Sequence, residues 1–487
     1  MQAMGSINRS FSKLGKKVSQ KTQAFAHRTS DKHIRLAVTG LSGAGKTAFI
    51  TGLVNQLLNA GLIGKSNNLP LWQVTREERL YGVKRDLQPD LTVASFDYEQ
   101  AMASLKQTPS QWPASTRSIS ELRLAIRYQP QKGLLAKLTD SATLYLDIID
   151  YPGEWLLDLP MLKQSFSQWS MSQTRREHIF KKSDCYGPFN EAVSQLDLFG
   201  EADAAQLKQI ASLYQQLLLD CVNGHGFYYA QPGRLLLPGE LVDTPVLALF
   251  PLLGLSAKTV TQLDAGASNT AYQVLKTRYK QYQSKVIMPF YREYFAKFDR
   301  QLLLVDCFTP LNSGKDQFDD MTQALNGIME SFKFGQSNIL KRLFSPRIDK
   351  LLFAASKVDH ITRDQQGNVL SLLTQLVKQS QKQAKFEGCE VEVMAISAIK
   401  ATKHAMVRSG SAEVEVVHGV DLSQQKTVTV FPGEVPKMLP QASFWDTQGF
   451  EFTHFAPPQV TASTQGADFE HIRLDHLLQY LLGDKLN

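Results

Sequence analysis

Short apolar runs recur along this chain, and each breaks off at a polar or glycine-containing turn. Residues 34–39 (IRLAVT), 143–150 (TLYLDIID), 301–308 (QLLLVDCF), 351–356 (LLFAAS) and 391–397 (VEVMAIS) are of this kind. Such runs are too short for buried helices and predict strands covered on both faces. Residues 121–128 (ELRLAIRY) alternate polar and apolar instead, which predicts an edge-type strand. Between the runs the period becomes helical. Residues 48–58 place Phe49, Leu53, Gln56 and Leu57 near one face, and residues 204–221 read as a helix. A longer helix is predicted over 269–298, with Tyr272, Leu275, Tyr279, Tyr282, Val286, Phe290, Tyr294 and Phe298 on one stripe and a kink at Pro289. That stripe reads as a core face rather than a ligand box. Residues 468–482 predict a closing amphipathic helix with Leu474, Leu477, Leu478 and Leu481 facing inward. Residues 414–417 and 426–431 predict strands of a small β excursion, and residues 61–120 read as irregular. Residues 233–239 and 246–255 suggest a loop-rich apolar patch that packs internally or takes a partner. Strands alternating with helices are the pattern of an α/β protein with a mainly parallel sheet.

The turn after the first strand carries chemistry. Residues 40–47 read GLSGAGKT and fit G-x-x-x-x-G-K-[ST], with Gly40, Gly45, Lys46 and Thr47 at the fixed positions. The backbone amides of Ser42, Gly43, Ala44 and Gly45 can wrap a phosphate, and the helix start at Thr47 and Ala48 adds free amides and a positive dipole end. Lys46 would reach the β- and γ-phosphates, and the Thr47 hydroxyl would take one Mg²⁺ position. Further on, Asp150 ends an apolar strand and is followed by Tyr151, Pro152 and Gly153. Asp150 can hold Mg²⁺ through water, and Gly153 lets its backbone approach the γ-phosphate. A lone D-x-x-G is common; after an apolar strand and downstream of a phosphate loop it is far more specific. Asp147 lies on the opposite face of the same strand by period-two counting and serves structure.

Two tetrapeptides bear on the base. Ser356-Lys357-Val358-Asp359 and Ser397-Ala398-Ile399-Lys400 each follow an apolar strand. The Asp359 carboxylate can accept from both N1–H and the 2-amino group of guanine, a donor pair that adenine lacks. The Lys357 stem can lie on the base face, and the Ala398 amide, in the Ser397–Ile399 turn, can donate to O6. The order of the pair favours guanine over adenine. Ahead of residues 121–128, Thr116 is a candidate second Mg²⁺ ligand sensing the γ-phosphate. Arg117 beside it is the candidate catalytic arginine supplied in cis, against an ordinary surface arginine.

In this order, residues 40–47, 150–153, 356–359 and 397–399 resemble the motif set of the translation-factor and Ras-like GTPases. More closely, the chain resembles the YcjX family of bacterial P-loop proteins, through ASKVDH (355–360), LDIIDYPGEW (146–155) and FDRQLLLVDCF (298–308). The likeness covers most of the chain. It implies an α/β P-loop GTPase-like three-layer sandwich with a mainly parallel sheet, a large helical insertion domain and a small C-terminal β excursion. It also implies Mg²⁺ with GTP or GDP, an unknown protein partner, and a nucleotide-controlled switch associated with envelope stress. The expected layout is a basic tail over 1–30, a core over 31–155 and 301–403, and an insertion over 156–300. A β excursion over 404–440 and a linker and helix over 441–487 complete it. Two departures from the wider GTPase pattern matter. Ser356 stands where Asn or Thr is usual, which weakens one loop-tethering hydrogen bond. Glu154 follows Gly153 where Ras-like enzymes carry a water-orienting Gln, so it either positions water or repels the γ-phosphate. Slow hydrolysis is expected, with Lys46, Glu154 and Arg117 as the catalytic set. A non-hydrolysing interaction module at the membrane surface and an ATPase are the alternatives.

Composition narrows the rest. With 487 residues the chain exceeds one ordinary domain. Cys185, Cys221, Cys307 and Cys389 are far apart and read as reduced thiols of a cytoplasmic protein, not as a zinc site. Residues 246–255 are too few to span a bilayer, and no signal-peptide pattern opens the chain. The net charge of +7 is partly local: Arg9, Lys13, Lys16, Lys17, Lys21 and Arg28 precede the first acid. With Ile7, Phe11, Leu14, Val18 and Phe25 at helical spacing, residues 1–30 predict peripheral contact with an anionic inner membrane, a solvated leader, or a helix docked on its own domain. Nothing here reads as a nucleic-acid-binding element.

Overall fold

A computed structural model of the protein describes residues 32–61, 68–115, 117–131, 139–331, 348–386, 388–410, 412–446, 451–460 and 469–487. The basic tail read over residues 1–30 lies outside these, as does Thr116.

The apolar runs become five adjacent strands of one eight-stranded sheet, the run at 391–397 forming its edge with an alternating buried and exposed pattern. In chain order its strands are β1 (Lys32–Gly40), β2 (Leu80–Asp86), β3 (Ala94–Ser95), β4 (Ser120–Tyr128), β5 (Ala142–Asp150), β6 (Arg300–Val305), β7 (Lys350–Ala355) and β8 (Glu390–Ala395). Across the sheet they run β2-β4-β5-β1-β6-β7-β8, with β3 beside β4. The five from β5 to β8 are parallel, whereas β4 is antiparallel to both β5 and β2. This is the mixed, mainly parallel sheet of an α/β P-loop GTPase-like fold.

Successive residues of the central strands feed opposite layers, as a pleated sheet demands. On β6, Leu302 and Leu304 join a core with the helix Lys46–Asn59 and the C-terminal helix Leu474–Leu482. Leu303 and Val305 join the other core, which takes in the helices Lys315–Ser331 and Gln366–Phe386 and the whole helical region after β5. In the C-terminal helix Leu474, Leu477, Leu478 and Leu481 are all buried, on the face their spacing predicts.

Two readings need correction. β4 is not an edge strand, because residues 80–86, in the stretch read as irregular, pair outside it as β2. Of its alternating arginines, Arg123 is half-buried in a bidentate pair with Asp147 on β5 at 2.6 and 2.8 Å, whereas Arg127 is exposed and donates to the Ser141 hydroxyl. Asp147 therefore serves structure, as its side of the strand implies. The same stretch also holds the helix Tyr98–Leu105, capped by Asp97.

The aromatic stripe over 269–298 is core, but the helix is broken. It runs Ala271–Tyr282, widens into a π turn over Gln283–Ile287, and resumes as Met288–Glu293. Pro289 has no N–H for the helical ladder, and the widened turn just before it absorbs the mismatch. Trp169 stacks on Tyr279 at 5.3 Å, with Phe166 against both and against Tyr272. The apolar run near residue 250 also packs internally: Leu249, Phe250 and Leu252 are buried. The β excursion is a three-stranded antiparallel sheet of β9 (Lys403–Ser409), β10 (Ala412–Val420) and β11 (Thr427–Val430). β9 has few apolar residues and is mostly exposed, which hid it from a hydrophobic reading. Among the described residues no helix is long and apolar enough to cross a membrane, and none of the four cysteines is in a disulfide.

Candidate nucleotide site

β1 delivers the chain to the glycine-rich turn at the middle of the sheet. Gly43 and Gly45 both sit at φ 77, in the left-handed region that a side chain resists. The Ala44 amide closes on the Leu41 carbonyl at 3.1 Å. The helix Lys46–Asn59 then starts at Gly45 without a side-chain cap, and its positive dipole end faces the loop. The Lys46 ammonium folds back over the loop and donates to the Gly40 carbonyl at 2.9 Å. That bond holds the charge above the amides and so pre-orders the cradle.

The segment after β5 explains why Gly153 is glycine. A Cβ there would stand 2.4 Å from the Gly40 carbonyl oxygen, so β5's continuation rides directly on the phosphate loop. Beyond it, residues Gly153–Lys163 form a buried 3-10 helix gripped by the helical region. A Cβ on Gly233 would lie 2.1 Å from the Glu154 carbonyl oxygen. The Trp155 indole donates to Leu237, and the Arg234 guanidinium lies 3.3 Å from the centre of the Trp155 ring. Asp158 accepts from the Gly233 amide at 2.7 Å and the Tyr282 hydroxyl at 2.5 Å. Burial pushes the Asp158 carboxyl up to about 6, against the pull of those two bonds. Glu154 is 6% exposed, and its Oε2 has no hydrogen-bond partner among the described residues.

At the other end, Ser356 donates from its amide and hydroxyl to the Val305 carbonyl, a tether along the sheet. Lys357 adopts φ 60 and ψ 28, and its ammonium meets Asp306 at 2.7 Å. Asp359 is buried and accepts from the Ala401 amide at 2.7 Å; with two lone pairs on each oxygen, it retains capacity to accept more. The Ser397 hydroxyl donates to Ile399, while Ser397 pairs with Ile472 in an isolated antiparallel bridge. Burial pushes the His360 imidazole down to about 4, so it is neutral, and its ring meets Phe455 edge-on at 5.1 Å.

One cavity of 1420 Å³ joins these parts. Ser42, Gly43, Ala44, Gly45, Lys46, Thr47, Ala48, Arg117, Glu154, Lys357, Asp359, Ser397, Ala398 and Ile399 all line it. Gly40, Asp150 and Gly153 are not on its wall. Gly40 and Gly153 pack against each other behind it, and Asp150 is 1% exposed at the end of β5. Arg117 is exposed on a loop that borders the cavity. Sequence reasoning missed several neighbours: Arg234, Trp112, His454 and Phe455 on the wall, and Asp306 behind Lys357. Arg234 was visible only as the one charge in an apolar run, and Asp306 only as an acid ending a strand, beside a third β-motif that names no ligand.

A protein-family model described as the YcjX-like family, DUF463, matches residues 34–486. This chain belongs to that family. It is 60% identical over 476 residues to a protein of Shewanella oneidensis named Ras-like GTPase YcjX, covering 96% of this chain and 98% of that one. It is 42% identical over 471 residues to the Escherichia coli protein of the same name, covering 97% of this chain and all of that one.

Proposed function

We propose that this family member binds GTP and Mg²⁺, hydrolyses GTP slowly, and passes its nucleotide state to the helical region. The observation that carries the reading is a single cavity holding both a phosphate loop and, at its far end, a buried carboxylate in an S-K-V-D turn. The relatives' names support it. Asp359 reads the guanine edge, Ala398 donates to O6, and Lys46 with the loop amides holds the phosphates.

The donor set fits Mg²⁺, which binds through one or two protein oxygens plus phosphates and water. Among the described residues no cluster of three acids, histidines or cysteines could replace that arrangement. Thr47 would hold the ion directly and Asp150, behind the wall, through water. When bound, the ion neutralises charge developing between the β- and γ-phosphates. Glu154, buried beside the loop with an unpartnered oxygen, accepts the proton of the attacking water. Arg234 reaches the cavity from the insertion, in the role first considered for Arg117, and would stabilise transition-state charge.

The second reading, a binding module without turnover, draws on the same Glu154, whose carboxylate also repels a γ-phosphate. Phosphate release from GTP by the wild-type protein, and its loss in Lys46→Ala, decides between them. Asp359→Asn should shift preference from guanine to xanthine nucleotides. A protein that binds GTP and releases no phosphate leaves only the module; one that prefers ATP sinks both.

A further inference from the structure

Asp306, at the carboxyl end of β6, is 4% exposed and fully engaged. Its Oδ1 accepts from the amides of Phe308 at 2.9 Å and Thr309 at 3.2 Å, and its Oδ2 accepts from the Thr309 hydroxyl at 2.6 Å and Lys357 at 2.7 Å. Burial alone would push this carboxyl up. The Lys357 ammonium, with the bonds from Lys357 and Thr309, outweighs burial and holds it well below the usual carboxylate range. Lys357 is the residue whose stem would lie along the base. Its backbone sits in a region that non-glycine residues rarely adopt, which fixes where the side chain starts. Asp306 fixes where it ends. On its other side, a Cβ added to Gly43 would come within 4.0 Å of Asp306 Oδ2, so the same carboxylate abuts the phosphate loop.

We propose that Asp306 is a positioning residue for the nucleoside: it clamps the Lys357 ammonium so that the lysine stem is a fixed platform for the guanine ring. A free lysine must give up several rotatable bonds when it stacks on a ligand; here the fold has already ordered them. This inference rests on the guanine-nucleotide reading of the site.

Calorimetric titration with GDP and, separately, with inorganic tripolyphosphate tests it. Asp306→Asn keeps an oxygen for the Phe308 and Thr309 amides but removes the charge. It should weaken GDP binding about ten- to thirtyfold, the fold-change that corresponds to the rotamer freedom of one ordered lysine side chain. Tripolyphosphate affinity should not fall, since the change removes a negative charge beside the phosphate loop; a general collapse of the site would lower it. In a Lys357→Ala background, Asp306→Asn should add no further loss. Lys357→Met, which keeps the stem and loses the clamp, should weaken GDP as Asp306→Asn does, and it serves if Asp306→Asn does not fold. Wild-type GDP affinity in Asp306→Asn or Lys357→Met, equal losses for tripolyphosphate, or losses that multiply in the double variant would each overturn the proposal. Wild-type protein that takes up no GDP fails both this proposal and the reading beneath it.

Discussion

Gly233→Ala, far in sequence from every nucleotide motif, should damage the chemistry. The added Cβ would stand 2.1 Å from the Glu154 carbonyl oxygen and 2.6 Å from its carbonyl carbon, both backbone atoms that cannot rotate aside. Ordinary contact begins near 3.4 Å, so the two chains must part by roughly 1 Å. Retreat is blocked on the far side, where the Gly40 carbonyl oxygen already lies 2.4 Å from the Cβ position of Gly153. Displacement therefore falls on Glu154 and the phosphate loop together. Overpacking of this kind costs about 1–3 kcal/mol in stability. A 1 Å misplacement of a reacting group can cost about a hundredfold in rate. The assay is single-turnover GTP hydrolysis at saturating nucleotide, alongside thermal melting and GDP affinity. The melting temperature and the rate should both fall, and GDP affinity should fall with them, because the displaced loop amides are the ones that hold its phosphates. Wild-type turnover with an unchanged melting temperature would show that the 153–154 segment is not wedged and would refute the reasoning.

Arg234→Ala should lower GTP turnover by about a hundredfold or more with little change in GDP affinity, whereas Arg117→Ala should leave turnover near wild type; the opposite pattern in steady-state phosphate release would return the role to Arg117. Leu478→Ala empties a fully buried position of the C-terminal helix and should cost about 2–5 kcal/mol in urea unfolding, and an unshifted midpoint would remove that helix from the core. Asp158 gives a pH dependence. Its carboxyl lies near 6 in the fold against an ordinary 3.8, so the folded chain binds that proton more tightly than the unfolded chain. The group supports the fold most below pH 3.8 and withdraws support as pH rises to about 6, a loss of roughly 3 kcal/mol. Asp158→Asn should flatten that part of the stability profile in urea titrations between pH 4 and 7; an unaltered slope would place the titration on another group.

What was legible in the sequence was what local chemistry dictates. The apolar runs at residues 34–39, 301–308 and 351–356 became β1, β6 and β7, because a strand buried on both faces has few alternatives to an unbroken apolar run. The glycines at 43 and 45 announce a turn with φ above zero, and the turn has it. β2 and β9 escaped because an edge strand or an exposed sheet can be polar, and period-two counting then has nothing to count. β4 misled for a related reason: its arginines look solvated in one dimension, and only the neighbouring strand shows Asp147 waiting for Arg123. Arg234 and Asp306 meet the cavity residues Trp155 and Lys357 from more than 50 residues away in sequence, and no spacing rule links such pairs.

The same non-local logic closes the base end of the cavity. Residues 451–460, close to the C-terminus, pair with Asn312 in both directions at 2.8 and 2.9 Å through Phe452. They then accept the Leu422 amide at His454 and donate from Ala456 to Val420, which ties them to β10. Finally the Phe455 carbonyl takes the Trp112 indole at 2.8 Å, and Pro458 takes the Ser110 hydroxyl. One ten-residue stretch thus joins the helix Phe308–Ser313, the β excursion and the loop that leads to Arg117. Trp112 lies in that loop, so any rearrangement of the loop must either break its bond to Phe455 or carry the strap with it. At the phosphate end the corresponding tie is the Gly40–Gly153 and Glu154–Gly233 backbone contact with the insertion. On the switch reading proposed above, a change at the phosphates would reach the insertion through Glu154 and the C-terminal strap through Trp112, both of which line the cavity.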